Sequence, residues 1–381
     1  MNSAIFKNRS SKGIGLFTNS KLRPFSIILV VAFLFVVFIG KGSPLCAAEG
    51  SGLQTSVAVD IVADTALGEN SAASDKAIVR GAEVMFYGPI DHLFDGYLSL
   101  AAHPEGGASL FEVHEAYIAS SKLLPRSRFR FGQFFLGIGR LNQIHQHDWP
   151  FISAPAIHKE VFQNEEGALD SGFEYSLLLP VPFYLDLSLG ATNGFTYGHS
   201  HDAGEKPKQP NFYAHLKSFF DVGEFGIQPA FSYLERKDAE ETKTQLLGFN
   251  LTAKKREGKV LKFLLESELW QKIEKQTEAA EATKIFGAYI YPQYGFNSQY
   301  SFGLRTDYFS VQSLKTFSQK KADNHRIALV PTFAFKASEF STVRLAYTWE
   351  EHKKNPESTS YNRLVELQTT FIIGAHPAHE F

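Results

Sequence analysis

Arg128-Phe129-Arg130-Phe131 alternates charge with apolar bulk. Soon after comes Gly137-Ile138-Gly139-Arg140-Leu141-Asn142-Gln143-Ile144-His145-Gln146-His147-Asp148-Trp149-Pro150, where the alternation stops. The interruption runs over residues 137–166 and closes on His158, Lys159, Glu160, Glu165 and Glu166. It then gives way to Leu169, Phe173 and Tyr175 set against Asp170, Glu174 and Ser176. Period-two alternation is the signature of a strand with two different faces. The stretch between has two Pro, one Trp and three His, with neither helical nor strand period. A connection this long inside a regular architecture is functional or disordered. Its Trp, Phe and Ile side chains argue against disorder, which needs low hydrophobicity. The expectation is a loop between a fifth and a sixth strand that folds into the mouth of a barrel and narrows it. The competing expectation is a lid over the outer rim.

Working outward, the same alternation recurs along the chain. Val57, Val59 and Ile61 oppose Ala58 and Asp60; Val84 and Phe86 oppose Glu83 and Met85; Leu185, Leu187 and Leu189 oppose Asp186 and Ser188. Leu261, Phe263, Leu265 and Leu269 oppose Lys262, Glu266 and Glu268, and Val365, Leu367, Phe371 and Ile373 oppose Glu366 and Gln368. Sixteen such strands can be placed, with 14 or 18 as the bounds. Seven short turns and eight longer connections take turns between them, so one rim is trimmed and the other decorated. Even strand numbers and this rhythm are what bacterial outer-membrane barrels show. In hydrocarbon every backbone polar group needs an internal partner, which a closed sheet supplies and an open one does not. The apolar rows then face lipid and the ionic rows face inward. Unpaired charges cannot fill a dry core, and sixteen strands leave room for water.

Composition agrees. Aromatic residues make up 14% of the chain, with 35 Phe and 15 Tyr, which suits belts at two membrane interfaces. The net charge of −2 gives no basic surface for nucleic acid. Lys7, Arg9, Lys12, Lys21 and Arg23 precede the apolar run Phe25 to Ile39, and Cys46-Ala47-Ala48 follows. That order predicts a secretory signal peptide over residues 1–48 and a barrel over 49–381. The single cysteine, Cys46, falls in the leader, so the exported chain would carry no disulfide.

Three functions fit to different degrees. The first is a channel for passive diffusion of small hydrophilic solutes or ions. Its constriction would be set by Arg130, Arg140, His145, His147, Asp148, Lys159 and Glu160. Their mixed charge leaves the sign of selectivity open. The second is a metal-binding uptake protein. His145-x-His147-Asp148 and His199-x-His201-Asp202 repeat one H-x-H-D pattern in two long connections, and His with carboxylate suits Zn2+. Solvated histidine explains the same pattern. The third, an enzyme, lacks a nucleophile elbow, a zincin helix or a phosphate-cradling loop, and is not expected.

Residues 112–196 resemble a family of Gram-negative outer-membrane porin-like proteins. The resemblance is carried by Glu115-Ala116-Tyr117, by Arg130 to Phe135, by Asn142 to Phe151, and by Gly167-Ala168-Leu169-Asp170-Ser171-Gly172. The ending Gly374-Ala375-His376-Pro377-Ala378-His379-Glu380-Phe381 is similar too. Members are often labelled zinc-regulated TonB-dependent outer membrane receptors, and the fold is similar to phosphate-selective porins. The resemblance implies a membrane barrel among lipid, insertion by the barrel-assembly machinery through Phe381, and a homotrimer. A TonB-dependent transporter needs a plugged 22-stranded barrel, so the expectation here is a porin-like barrel without a plug.

Overall fold

The computed structural model describes residues 52–67, 75–105, 108–194, 207, 209–276, 282–313, 324–355 and 358–375. The leader, the His199-x-His201-Asp202 motif and the terminal His376, His379 and Phe381 lie outside the described residues.

Sixteen antiparallel strands close into one barrel in simple sequence order. They are β1 (Gln54–Ala66), β2 (Ala77–Pro89), β3 (Asp95–Glu105), β4 (Ala108–Ser120), β5 (Ser127–Phe135), β6 (Leu169–Leu178), β7 (Tyr184–Thr192) and β8 (Asn211–Val222). The second half holds β9 (Phe225–Lys237), β10 (Lys243–Glu257), β11 (Val260–Lys275), β12 (Thr283–Gly295), β13 (Tyr300–Ser313), β14 (Asn324–Ser338), β15 (Ser341–Asn355) and β16 (Ser358–Gly374). The ring closes where β1 meets β16, from Ser56 opposite Gly374 to Ala66 opposite Leu364. Closure gives the backbone of the first and last strands the partners that hydrocarbon cannot supply.

The two faces sort as the alternation predicts. Phe131, Phe231 and Ile373 are 60–62% exposed on the outside. Glu174, His215, Glu266, Arg305, Arg344 and Glu366 are buried on the inside. The wall is uneven: β5, β6 and β7 have 9 or 10 residues, whereas β10 to β16 have 13 to 17. Two of the longer connections expected from the sequence shrink. β3 reaches Glu105 and β4 begins at Ala108, and β15 reaches Asn355 before β16 begins at Ser358. Charged and small residues at those strand ends read as loop in the sequence, but their backbone continues the ladder, with Glu105 opposite Ala108 and Asn355 opposite Ser358.

Two bulges break the register, one between β1 and β2 and one between β3 and β4. Asp60 pairs Gly81 and Ile61 pairs Val79, leaving Arg80 as the extra residue. Ser99 pairs Glu115 and Leu100 pairs Val113, leaving His114 as the extra residue. A bulge re-aims a side chain that strict alternation would send outward. Arg80 thereby reaches Asp60 across the lumen face, and His114 joins Glu115 inside.

The outward row carries a direct test. The Phe231 ring lies tilted against Phe249 on the outer face, with centroids 4.9 Å apart. Placing a cation there, as in Phe231→Arg, should weaken folding into phospholipid vesicles by about 2–4 kcal/mol. Denaturant titration in vesicles measures it, and an unchanged midpoint would mean that this face does not meet lipid.

Candidate functional site: the luminal loop

Residues 136–168 leave the end of β5 and cross the inside of the barrel before β6 begins. The loop contains a single 3-10 turn at Leu141–Gln143, another at Gln146–Asp148, and one short helix, α1 (Ala156–Phe162). Leu136, Ile138, Leu141, Trp149, Phe151, Ile157 and Phe162 are all fully buried. They pack on Leu234, Leu246, Trp270, Ile285, Tyr289 and Tyr291 of the opposite wall. The apolar content of this stretch therefore serves a core inside the barrel, which excludes the lid.

Polar anchors fix the loop from three directions. Its neck is closed by Asn142, whose amide donates to the Leu136 carbonyl at 2.7 Å. On the far wall, Glu268 Oε1 accepts the backbone amides of Arg140 at 2.6 Å and Leu141 at 2.7 Å. The Leu141–Gln143 turn has no capping side chain of its own, so a strand carboxylate performs that task. Glu268 Oε2 accepts the indole N–H of Trp270 at 2.7 Å. Gly139, at φ +67, sits where an added Cβ would lie 2.8 Å from Trp270 Cζ2, so both backbone twist and space require glycine there. Further round, Tyr291 donates to the Pro150 carbonyl at 3.1 Å, Arg305 donates to the Ser153 carbonyl, and Lys272 donates to the Glu160 carbonyl at 3.1 Å. On β2 Arg80 donates to the Ile152 carbonyl at 2.6 Å.

His145 is held between two strand carboxylates. Its Nδ1 is 3.1 Å from Glu83 and its Nε2 is 3.2 Å from Glu115. Burial opposes a charged ring, but Glu83 and Glu115 override it and hold the His145 pKa well above the ordinary value. His158 has the opposite setting. Fully buried with its ring edge-on to Trp149 and Phe162, it is pushed down to about 3, chiefly by burial.

These shifts give the loop two opposite pH limits. An unfolded loop would protonate His158 near 6.5, the folded loop only near 3. Docking is therefore weakened as pH falls through that window, by up to about 1.4 kcal/mol per unit. The His145 contribution is fully present below 6.5 and is lost as pH rises through its elevated folded value. Current noise from single channels should grow below about pH 5 in the wild type and stay low in His158→Leu. Equal acid sensitivity of the two proteins would contradict this.

The residues expected at a constriction do not form one ring. Arg130, Arg140 and His145 line a cavity of 540 Å³ between the loop and the inner wall of β2 to β10. Arg126, Leu178 and Tyr184 also line it, so the cavity reaches the short-turn rim. Arg130 pairs with Glu174 at 2.8 Å and lies over the Phe134 ring. His147 lies beyond His145, its ring stacked 5.5 Å away and its Nε2 3.1 Å from Asp148. Asp148 acts electrostatically on Lys336 and Arg344 of the tall wall. Lys159 points to Glu165 at a half-exposed place, and Glu160 is bound to Lys272. Of the expected metal set, His147 touches both His145 and Asp148, but the ring nitrogens of His145 face Glu83 and Glu115.

Sequence reasoning missed Glu83, Glu115, Glu268, Arg80 and Arg305, which grip the loop. It also missed His103 and His114. One signal was present for His114: Glu112-Val113-His114-Glu115 puts two polar residues in succession, the trace of a bulge.

No family model matches the chain. An uncharacterized protein of Aquifex aeolicus (strain VF5) is 29% identical over 337 residues, covering 79% of this chain and 69% of that protein. Among solved structures, the outer membrane channel DcaP of Acinetobacter baumannii superposes with a TM-score of 0.59 at 10% identity, covering 84% of this chain and 96% of that one. The anion-selective porin from Comamonas acidovorans superposes with a TM-score of 0.52 at 10% identity, covering 85% and 99%. The chain has the fold of the outer-membrane porins. Its closed ring of sixteen strands is smaller than the 22-stranded ring of a TonB-dependent transporter.

Proposed function

We propose that this protein is a porin-like channel of a Gram-negative outer membrane, passing small hydrophilic solutes or ions without an energy source. The observation that supports it most is the pairing of an apolar outer surface with an ionic interior, crossed by a loop that leaves a cavity at one side. A sheet surrounded by water would turn its apolar rows toward the core instead.

The cavity favours anions. Arg126, Arg128, Arg130, Arg140 and Lys217 line it, against Glu115, Glu174 and Asp186. Glu174 already serves Arg130 at 2.8 Å, with Arg128 3.9 Å away. A surplus of fixed positive charge in a confined aqueous space concentrates the counter-ion. The anion selectivity stated for the Comamonas porin belongs to that protein, and at 10% identity it does not carry this assignment.

Planar-bilayer recording across a KCl gradient tests both parts. Ohmic single-channel steps with a reversal potential toward the chloride value are expected. Arg128→Glu, at a half-exposed place, should shift that potential toward the potassium value. Channels that prefer potassium in the wild type would overturn the charge assignment. Folded protein that never conducts would overturn the channel.

A further inference from the structure

Four ligand-type atoms converge at the other side of the loop, away from the 540 Å³ cavity. His103 Nε2 lies 2.7 Å from His114 Nε2. Glu112 Oε1 is 3.2 Å from His114 Nε2 and 3.4 Å from His103 Nε2. Glu166 Oε2 is 3.4 Å from His114 Nε2. An ion with metal–ligand bonds of about 2.1 Å and tetrahedral geometry separates its ligand atoms by about 3.4 Å. His103, His114 and Glu166 offer ligand atoms that all lie within 4.8 Å of one another, close enough to share one ion, and Glu112 stands beside both histidines.

Two imidazolium rings at 2.7 Å would repel, so at least one ring turns a lone pair toward the other and toward the carboxylates. The tautomer that does so is already favoured in His103, whose Nδ1 is 3.2 Å from Glu166 Oε1. A carboxylate on the second ring nitrogen is how ligating histidines are oriented. Glu83 stands 3.8 Å from His114 Nδ1 in the corresponding place. The fold appears here as cause: the β4 bulge turns His114 inward beside β3, where strict alternation would not. His103 and Glu166 keep 19% side-chain exposure, and a 30 Å³ cavity bordered by His103, His114 and Glu166 offers room for about one or two waters.

We propose that His103, Glu112, His114 and Glu166 bind one divalent cation of the zinc type, which ties the end of the luminal loop to the wall at β3 and β4. Two imidazoles and two carboxylates balance a dipositive ion and suit a borderline metal better than calcium or magnesium, which prefer oxygen alone. Glu166 belongs to the loop and the other three to the strands, so the ion would bridge the loop and the wall.

The test uses the purified folded barrel, its Co2+ absorption spectrum and Zn2+ calorimetry. One ion per barrel with a tetrahedral Co2+ spectrum is expected. His103→Ala and Glu166→Gln should each weaken affinity by about 10-fold or more. Glu166→Gln leaves every strand unchanged, and heat-modifiable migration on gels verifies folding of both variants. His145→Asn, or His199→Ala with His201→Ala, should leave the affinity and the spectrum in place. Absence of stoichiometric binding in the wild type would overturn the proposal. So would affinity that follows His145 or His199 and His201 while surviving His103→Ala.

Discussion

Glu268→Ala should release the luminal loop and raise single-channel conductance, with frequent switching between current levels. The carboxylate is buried inside β11 and holds three N–H groups, from Arg140, Leu141 and Trp270. Hydrogen bonds to a charged group contribute about 1.5–3 kcal/mol each, and the donors left behind are costly when buried. Losing them together should weaken loop docking by on the order of 3–6 kcal/mol, allowing for non-additivity. The barrel should survive, because β11 pairs along its length with β10 and β12 through backbone groups. Glu268→Gln should fall between: its carbonyl oxygen can still cap the Leu141–Gln143 turn, but its NH2 would face the Trp270 N–H. Unaltered conductance in correctly folded Glu268→Ala barrels would show that the loop is held by other means.

Trp149→Ala should have the second large effect, on loop order more than on the barrel. Trp149 is fully buried among Phe151 and His158, and its indole N–H donates to the Ile144 carbonyl at 3.0 Å. Truncating a buried Trp costs about 3–5 kcal/mol. Here the loss falls on a segment that no strand pairing holds. Limited proteolysis should cut the variant within 140–165 while the barrel remains intact, and the wild type should resist at the same protease concentration. Equal resistance would mean that packing around Trp149 is not what keeps the loop inside.

Much of the architecture was legible because a half-lipid, half-water strand can only be written as alternation. Phe131 beside Arg130, Leu189 beside Ser188 and Leu269 beside Glu268 each declare which way they point. The loop was legible for the converse reason, since Trp149 and Phe151 are too apolar to sit on a wet rim. What grips the loop was not legible. Glu268 meets Arg140 across 128 positions of sequence, and a luminal glutamate that anchors a backbone looks the same in the chain as one that faces water. The residues expected at a constriction are spread out for the same reason: His145 meets Glu83 and Glu115 of the strands, whereas Lys159 on helix α1 meets Glu165. His114 was hidden by its bulge, which shifts parity at a point where the alternation argument assumes none.

Thiol accessibility across one strand pair tests the central claim most directly. Lys217 lies on the cavity side of β8, and Leu189 faces outward at 47% exposure on β7. Replace Cys46, the only cysteine in the sequence, by serine, and introduce Lys217→Cys or Leu189→Cys singly. In planar bilayers a charged, membrane-impermeant thiol reagent should modify Lys217→Cys and reduce its current in steps, and should leave Leu189→Cys unmodified. Rapid modification of Leu189→Cys with an inert Lys217→Cys would show that the apolar row meets water and the ionic row does not, and the channel account would be wrong.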